Sequence, residues 1–353
     1  MPDPTFTVGL LTHAGGAHVE AYLQALAQSA ECSAVELVDP DGRWDEPGKK
    51  ILGTKLARVS RDYKELLADR RPGMALVTME ARLAPPVIDA ALEAGCHVFA
   101  EKPACVRAED FAPLVHKADG RHLFLMLAFA NRVNPETLAA RQLIATGRIG
   151  RLFGLEMHLV ADQTRLTNES YRKQWFAHKD RAGGGHLIWL GIHWLDLAMF
   201  VTGSGIAEVA GFTANVGRQP LDVEDSAAAA FRFENGALGT ITSGYYLDKG
   251  YHSHIKVWGS AGWLHLEPEA ESPLRWYSTN GDEAGKVQVW SGSKQPRGYS
   301  PFVAEAVKAC VRGSDPPISN ADSLRALKTV FAIYASAATG KATSIQHGTS
   351  SSP

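Results

Sequence analysis

From residue 6 to about residue 125, short apolar runs alternate with stretches of helical periodicity, and no other feature of the chain narrows its fold so far. Strands are predicted at 6–11, 34–38, 74–78, 97–100 and 123–129, and helices at 17–28, 63–68, 87–94 and 110–117. Strands separated by helices in this rhythm pair in parallel, because each crossover brings the chain back to run in the same direction. The fold class read from this is α/β: a Rossmann domain with a doubly wound parallel sheet over residues 1–129.

Beyond residue 130 the pattern changes. Helices are predicted at 135–146 and 188–201, and strands at 152–160, 227–233, 238–247, 255–258, 263–266, 274–278 and 286–290. Asn235-Gly236 and the run Gly259-Ser260-Ala261-Gly262 are hairpin signals, and strands joined by tight turns pair antiparallel. Residues 130–345 are therefore expected to form a C-terminal α+β domain with a large, mostly antiparallel open sheet, its final helix at 320–340 free to pack back on the first domain. Residues 346–353, rich in serine, read as a loose tail.

A chain of 353 residues, 45% of them hydrophobic and 21% charged, holds more than one core comfortably encloses, in keeping with two domains. Its net charge of −2 argues against nucleic acid and membrane surfaces as partners. No apolar run approaches 18 residues, and the N-terminus lacks a basic region followed by an apolar core, so the expected location is the cytoplasm. Cys32, Cys96, Cys105 and Cys310 have no metal-ligand spacing; they read as reduced thiols, and no metal site is expected.

Three segments carry chemistry. The first is Glu101-Lys102-Pro103, straight after the apolar run 97–100. A lysine at the carboxyl end of a buried strand, with a proline that stops the chain helixing onward, sits where open α/β sheets place reactive groups. The second is the first strand-to-helix turn, Thr12-His13-Ala14-Gly15-Gly16. Thr12, Ala14 and Ala17 occupy the positions of a G-x-G-x-x-G fingerprint, yet the loop stays small, and amides at a helix N-terminus suit a pyrophosphate. Asp39 ends the second strand, 27 residues beyond Thr12, where a carboxylate accepts from an adenosine ribose 2′-hydroxyl and repels a 2′-phosphate. That favours NAD over NADP, with good turn chemistry in Asp39-Pro40-Asp41-Gly42 as the competing reading. The third segment follows Gly183-Gly184-Gly185: on a helix, His186, Trp189, His193 and Asp196 lie three, four and three apart and share one face. Polar groups on an otherwise apolar helix find partners or do chemistry.

Taken together, the glycine-rich first turn, Glu101-Lys102-Pro103 and the glycine run leading to Gly191-Ile192-His193 and Asp196 resemble the Gfo/Idh/MocA family of glucose–fructose oxidoreductase and inositol dehydrogenase relatives. Asn131-Arg132 with Pro135, the run 144–150 and the run 332–336 extend the resemblance over about residues 6–345. It implies an NAD-dependent oxidoreductase that interconverts a secondary hydroxyl and a ketone on a sugar, inositol or related polyhydroxy substrate. It also implies that Lys102 sits beside the nicotinamide ribose and the reacting hydroxyl, and that His193 accepts or donates the proton. Glu101 and Thr78 would line the cofactor side with the first turn. Trp189, His186, Arg172, Trp175 and Asn131 are the substrate-side candidates. The family usually carries an aspartate where Trp189 stands; tryptophan does not titrate, but it stacks on a sugar face. The open sheet would form the substrate wall and an oligomer surface, giving a homodimer or homotetramer. Two further readings stay open: redox-assisted elimination or glycoside cleavage with retained NAD, and a non-enzymatic regulator that senses a sugar or dinucleotide on the same fold.

Overall fold

The computed structural model describes residues 6–247, 249–281 and 284–346, which divide into two compact units. The first unit gathers residues up to 133 with 179–183 and 296–324; the second gathers 134–178, 184–295 and 325 onward. The tail expected at 346–353 lies, from residue 347 on, outside the described residues.

In the first unit, β1 (Phe6–Thr12), β2 (Cys32–Val38), β3 (Leu56–Ser60), β4 (Met74–Thr78), β5 (His97–Ala100) and β6 (Leu125–Leu127) form one parallel sheet in the order β3-β2-β1-β4-β5-β6. The order reverses between β1 and β4, which makes the loops after those strands the switch point where such sheets hold ligands. Every residue of β4 is buried, and Val98, Phe99 and Ala100 are 0% exposed. A sheet covered on both faces needs such unbroken apolar strands, which is why they were legible in the sequence. The connecting helices are α1 (Val19–Gln28), α2 (Asp45–Leu52), α3 (Tyr63–Asp69), α4 (Ala84–Glu93) and α5 (Ala108–Gly120). The sequence pattern does not reveal α2, whose Pro47-Gly48 reads as a turn, nor β3. It also misses the helix Tyr299–Arg312, which carries Pro301 in its first turn, where proline is tolerated. That helix buries Phe302 edge-on against Phe99, ring centroids 5.6 Å apart. The start of the helix Asn320–Thr339 closes the sheet edge: Leu125 N–H donates to Asn320 Oδ1 (2.7 Å) and Leu127 N–H to Ser323 Oγ (3.1 Å).

In the second unit, β7 (Leu152–Asp162), β8 (Ile206–Ala214), β9 (Ser226–Phe233), β10 (Leu238–Leu247), β11 (Tyr251–Gly259), β12 (Gly262–Leu266), β13 (Leu274–Ser278), β14 (Val287–Val289) and β15 (Thr343–Ser344) form one sheet. Its order is β14-β13-β12-β11-β7-β10-β9-β8-β15, and all pairs are antiparallel except β7 with β10. Side chains alternate between the faces: Leu155, Met157 and Leu159 are buried, whereas Glu156 and His158 are half-buried on the opposite face.

The helix expected at 188–201 is built in two pieces, a π-helical turn Leu187–Gly191 and an α-helix Ile192–Thr202 closed by Gly203 at φ 64°. Against the sequence expectation, the stretch Lys179–Thr202 is long and apolar enough by composition to cross a membrane. Its most apolar window is 78% buried within the protein, as in a core helix.

Candidate active site

Lys102 leaves the end of β5 through a cis peptide bond to Pro103, with its side chain only 1% exposed. Glu101 beside it is equally buried. The Glu101 carboxylate accepts from the Tyr22 hydroxyl, lies 3.1 Å from His18 Nδ1, and accepts from Lys102 N–H at 3.1 Å. Tyr299 joins the group, its hydroxyl 3.2 Å from His18 Nδ1 and its ring edge-on to Tyr22. Burial pushes the Lys102 ammonium down to about 8, against a smaller upward pull from Glu101. Burial also raises Glu101, but His18, Lys102 and the Tyr22 hydroxyl outweigh it and hold that carboxyl below its ordinary value. Burial and Glu101 push Tyr22 well up, so its hydroxyl remains a donor. A lysine with this balance loses its proton at mildly alkaline pH, which suits it to proton transfer.

The first turn lies at the switch point. Thr12 is fully buried and its hydroxyl donates to Thr78 O (3.2 Å), while Thr78 Oγ1 donates to Ala17 O (2.5 Å). Gly16 is needed there: a Cβ would come within 2.8 Å of Thr78 O and collide with Thr12 Oγ1. The His13 ring receives Gly15 N–H at Nδ1 (2.9 Å) and Glu80 N–H at Nε2 (2.8 Å), and burial lowers its pKa. A neutral imidazole has a single lone-pair nitrogen, so only one of these amides is fully accepted at a time. Ala14 is exposed and its N–H donates to Asp41 Oδ2 at 2.9 Å. The loop thus already holds an anionic oxygen on a backbone amide, the interaction a pyrophosphate oxygen would make, and its residues fit a dinucleotide. Asp39 is 0% exposed; its Oδ2 accepts from Trp44 N–H (2.6 Å) and its Oδ1 from Asp41 N–H (3.4 Å). In this arrangement Asp39 closes its own turn, and Asp41 is the carboxylate that reaches the first loop.

In the second unit, the Glu224 carboxylate caps the glycine run. Gly185 N–H donates to Oε2 (2.6 Å), while Leu187 N–H (3.0 Å) and the Tyr334 hydroxyl (2.8 Å) donate to Oε1. His186 N–H adds a bond to the Glu224 carbonyl (3.0 Å), and a Cβ on Gly185 would collide with that same oxygen. Burial raises the Glu224 pKa against the pull of these donors.

A π-helical turn, Leu187–Gly191, runs through the polar stripe. His186 and Asp196 are 0% exposed, while Trp189 and His193 are half-buried. His186 Nδ1 lies 2.7 Å from Ser243 Oγ and its ring stands edge-on to Tyr245 at 4.4 Å. Trp189 stacks on Phe176 (4.8 Å, 30°) and meets Trp175 edge-on (5.3 Å), with Trp175 1% exposed. Arg172 is half-buried, its Nη2 donating to Thr167 O (3.3 Å). Of the substrate-side candidates, Trp175 and Trp189 are brought into contact, whereas Asn131 belongs to the first unit, in the turn Ala130–Val133. The sequence reading passes over His18, Tyr22, Tyr299, Asp41, Phe176, Glu224 and Tyr334. Of these, His18, the N-cap of α1, and Tyr22, within α1, lie close in sequence.

The chain matches the family described as "Oxidoreductase family, NAD-binding Rossmann fold" over residues 8–129, and the "GFO/IDH/MocA C-terminal domain" over residues 137–265. It is 23% identical to the myo-inositol 2-dehydrogenase of Thermotoga maritima over 288 residues, 80% of this chain and 82% of that one. It is 26% identical to the 1,5-anhydro-D-fructose reductase of Ensifer adhaerens over 265 residues, 73% of this chain and 75% of that one. Among solved structures, an oxidoreductase domain protein from Kribbella flavida superposes with a TM-score of 0.87 at 25% identity, covering 97% of this chain and 99% of the other. A sheet order with its switch point at the first turn, a buried Glu-Lys-Pro corner and matches in both domains together place the chain in the Gfo/Idh/MocA family of NAD-binding oxidoreductases.

Proposed function

We propose that the chain is an NAD-dependent dehydrogenase interconverting a secondary hydroxyl and a ketone on a sugar, inositol or related polyhydroxy compound, with Lys102 and His193 handling the hydroxyl proton. The observation that carries this reading is Lys102 itself: a lysine 1% exposed at the carboxyl end of β5, its ammonium pushed down to about 8. Histidine is the side chain that moves protons near neutrality, and His193 is half-buried on the helix Ile192–Thr202. Bound NAD supplies the hydride acceptor. Thr12, Gly15 and Gly16 of the first turn, with Thr78 and Glu101, would hold it, and the carboxylate that reaches the first loop, Asp41, would disfavour a 2′-phosphate while Asp39 closes the turn beneath it. The two curated relatives are named for myo-inositol and 1,5-anhydro-D-fructose, which supports a polyhydroxy substrate.

Calorimetric titration of NAD and NADP, followed by a screen of sugars and polyols for NADH formation, tests the reading. Tighter binding of NAD, weakened in Asp39→Ala or Asp41→Ala, and reduction of NAD by at least one polyol are expected. No binding of either dinucleotide would overturn it.

A further inference from the structure

Three histidines meet ring to ring on one face of the second unit's sheet. His158 of β7 and His254 of β11 lie directly opposite each other in the antiparallel register, their rings stacked at 5.2 Å and 7°. His265 of β12 stands edge-on to His254 at 5.5 Å. All three are half-buried, while Met157, Ile255 and Leu264 beside them are buried on the opposite face.

Glu156, on the same face of β7 as His158, places its Oε1 2.8 Å from His254 Nε2. β11 adds Lys256, whose Nζ lies 3.8 Å from that same oxygen, and the exposed His252. Arg275 of β13 donates from Nη2 to His265 Nδ1 (3.1 Å), and Glu267, just after β12, lies 3.7 Å from His265 Nε2. On β10 the residues opposite Glu156 and His158 are Thr240 and Thr242, which carry no charge.

A protonated imidazole nitrogen has no lone pair to offer. A proton on His265 Nδ1 therefore breaks the bond from Arg275 and sets two cations against each other. Protons on both His158 and His254 put two positive rings 5.2 Å apart, with Lys256 on the neighbouring position of β11. Burial above all, joined by the charges of His254 and Lys256, holds His158 and His265 below the ordinary histidine value, against upward pulls from Glu156 and Glu267.

We infer that these three rings form a pH-sensitive fastening between β7, β11 and β12: they take up protons in competition with one another, and acid loosens the strands that carry them. The fastening lies in the sheet alone and is independent of the proposed chemistry. An unfolded histidine takes a proton as pH falls through 6.5, whereas folded His158 and His265 still resist. The unfolded chain then binds more protons than the folded one, so the sheet loses stability from that pH downward and keeps it above.

Histidine ring NMR on the full chain, titrated from about pH 8 to about pH 5, tests this together with hydrogen exchange of the same strands. His254→Gln keeps a polar partner for Glu156 but removes the central charge. It should raise the titration midpoints of His158 and His265 by at least about half a unit. His158→Gln leaves Glu156 and His254 in place. It should reduce the loss of exchange protection that β7 and β11 of the wild type show, relative to β9, as pH falls below about 6. Midpoints that His254→Gln leaves where they were, or protection in β7 and β11 that acid lowers no more than in β9, would overturn the inference.

Discussion

The corner at the end of β5 and the helix that follows the glycine run both bury titratable groups, but by opposite means. At the corner, Lys102 and Glu101 are buried side by side with His18, Tyr22 and Tyr299 around the carboxylate, and the charges of Lys102 and Glu101 act on each other. At the glycine run, burial raises the pKa of the capping Glu224, His186 is 0% exposed and edge-on to Tyr245, and half-buried Trp189 stacks on Phe176. The first region couples two buried charges; the second presents His193 and Trp189, both half-buried, on one apolar helix. On the proposed function, substitutions at the corner and at His193 should change rate and pH response, and substitutions around the Glu224 cap should change stability.

The largest effect that would break this contrast is at Lys102. Lys102→Met is expected to lower kcat by about a thousandfold, with NAD affinity nearly unchanged, as steady-state kinetics and calorimetry would show. The same variant reports on stability. The unfolded lysine titrates near 10.5 and the folded one near 8, so burying the ammonium costs roughly 3 kcal/mol. That cost is fully present below pH 8 and is relieved as pH rises toward 10.5, so thermal melts should show the wild type gaining stability relative to Lys102→Met across that window.

Next in size is Gly185→Ala, whose methyl would collide with the Glu224 carbonyl; a loss of about 3 kcal/mol in urea unfolding is expected. Glu224→Gln replaces one acceptor oxygen by a donor facing Gly185 N–H or Leu187 N–H, and should cost about 2 kcal/mol in the same assay. A Glu224→Gln protein as stable as the wild type would show that the cap is ornamental. The smallest effect is at Tyr22→Phe, which removes one donor from buried Glu101 and should cost about 1 kcal/mol.

How much could be read in advance follows the same divide. Glu101-Lys102-Pro103 was visible because its meaning depends on adjacent residues and on the end of an unbroken apolar strand. Its partners were not: Tyr22 lies 79 positions away from Glu101 and Tyr299 lies 281 from His18, separations at which no local period operates. Tyr334 reaches Glu224 across 110 positions for the same reason. The polar stripe on the glycine-run helix was legible as a stripe, but the π-helical turn Leu187–Gly191 was not, nor was the burial of His186 beside half-buried Trp189 and His193. Asp39 was legible as a carboxylate at a strand end, yet whether its oxygens face outward or into their own turn depends on the path of residues 41–44, which α2 fixes.

The central claim is the proposal that Lys102, held between burial and the charge of Glu101, shares with His193 the handling of the hydroxyl proton. Its most direct test is the pH dependence of kcat/KM for alcohol oxidation in the wild type and in Glu101→Gln. The wild type should rise with pH and level off above a limb near 8, and Glu101→Gln should move that limb downward by about one unit, because the lost carboxylate no longer favours the ammonium. A profile without a limb near 8, or one that Glu101→Gln leaves in place, would contradict the assignment.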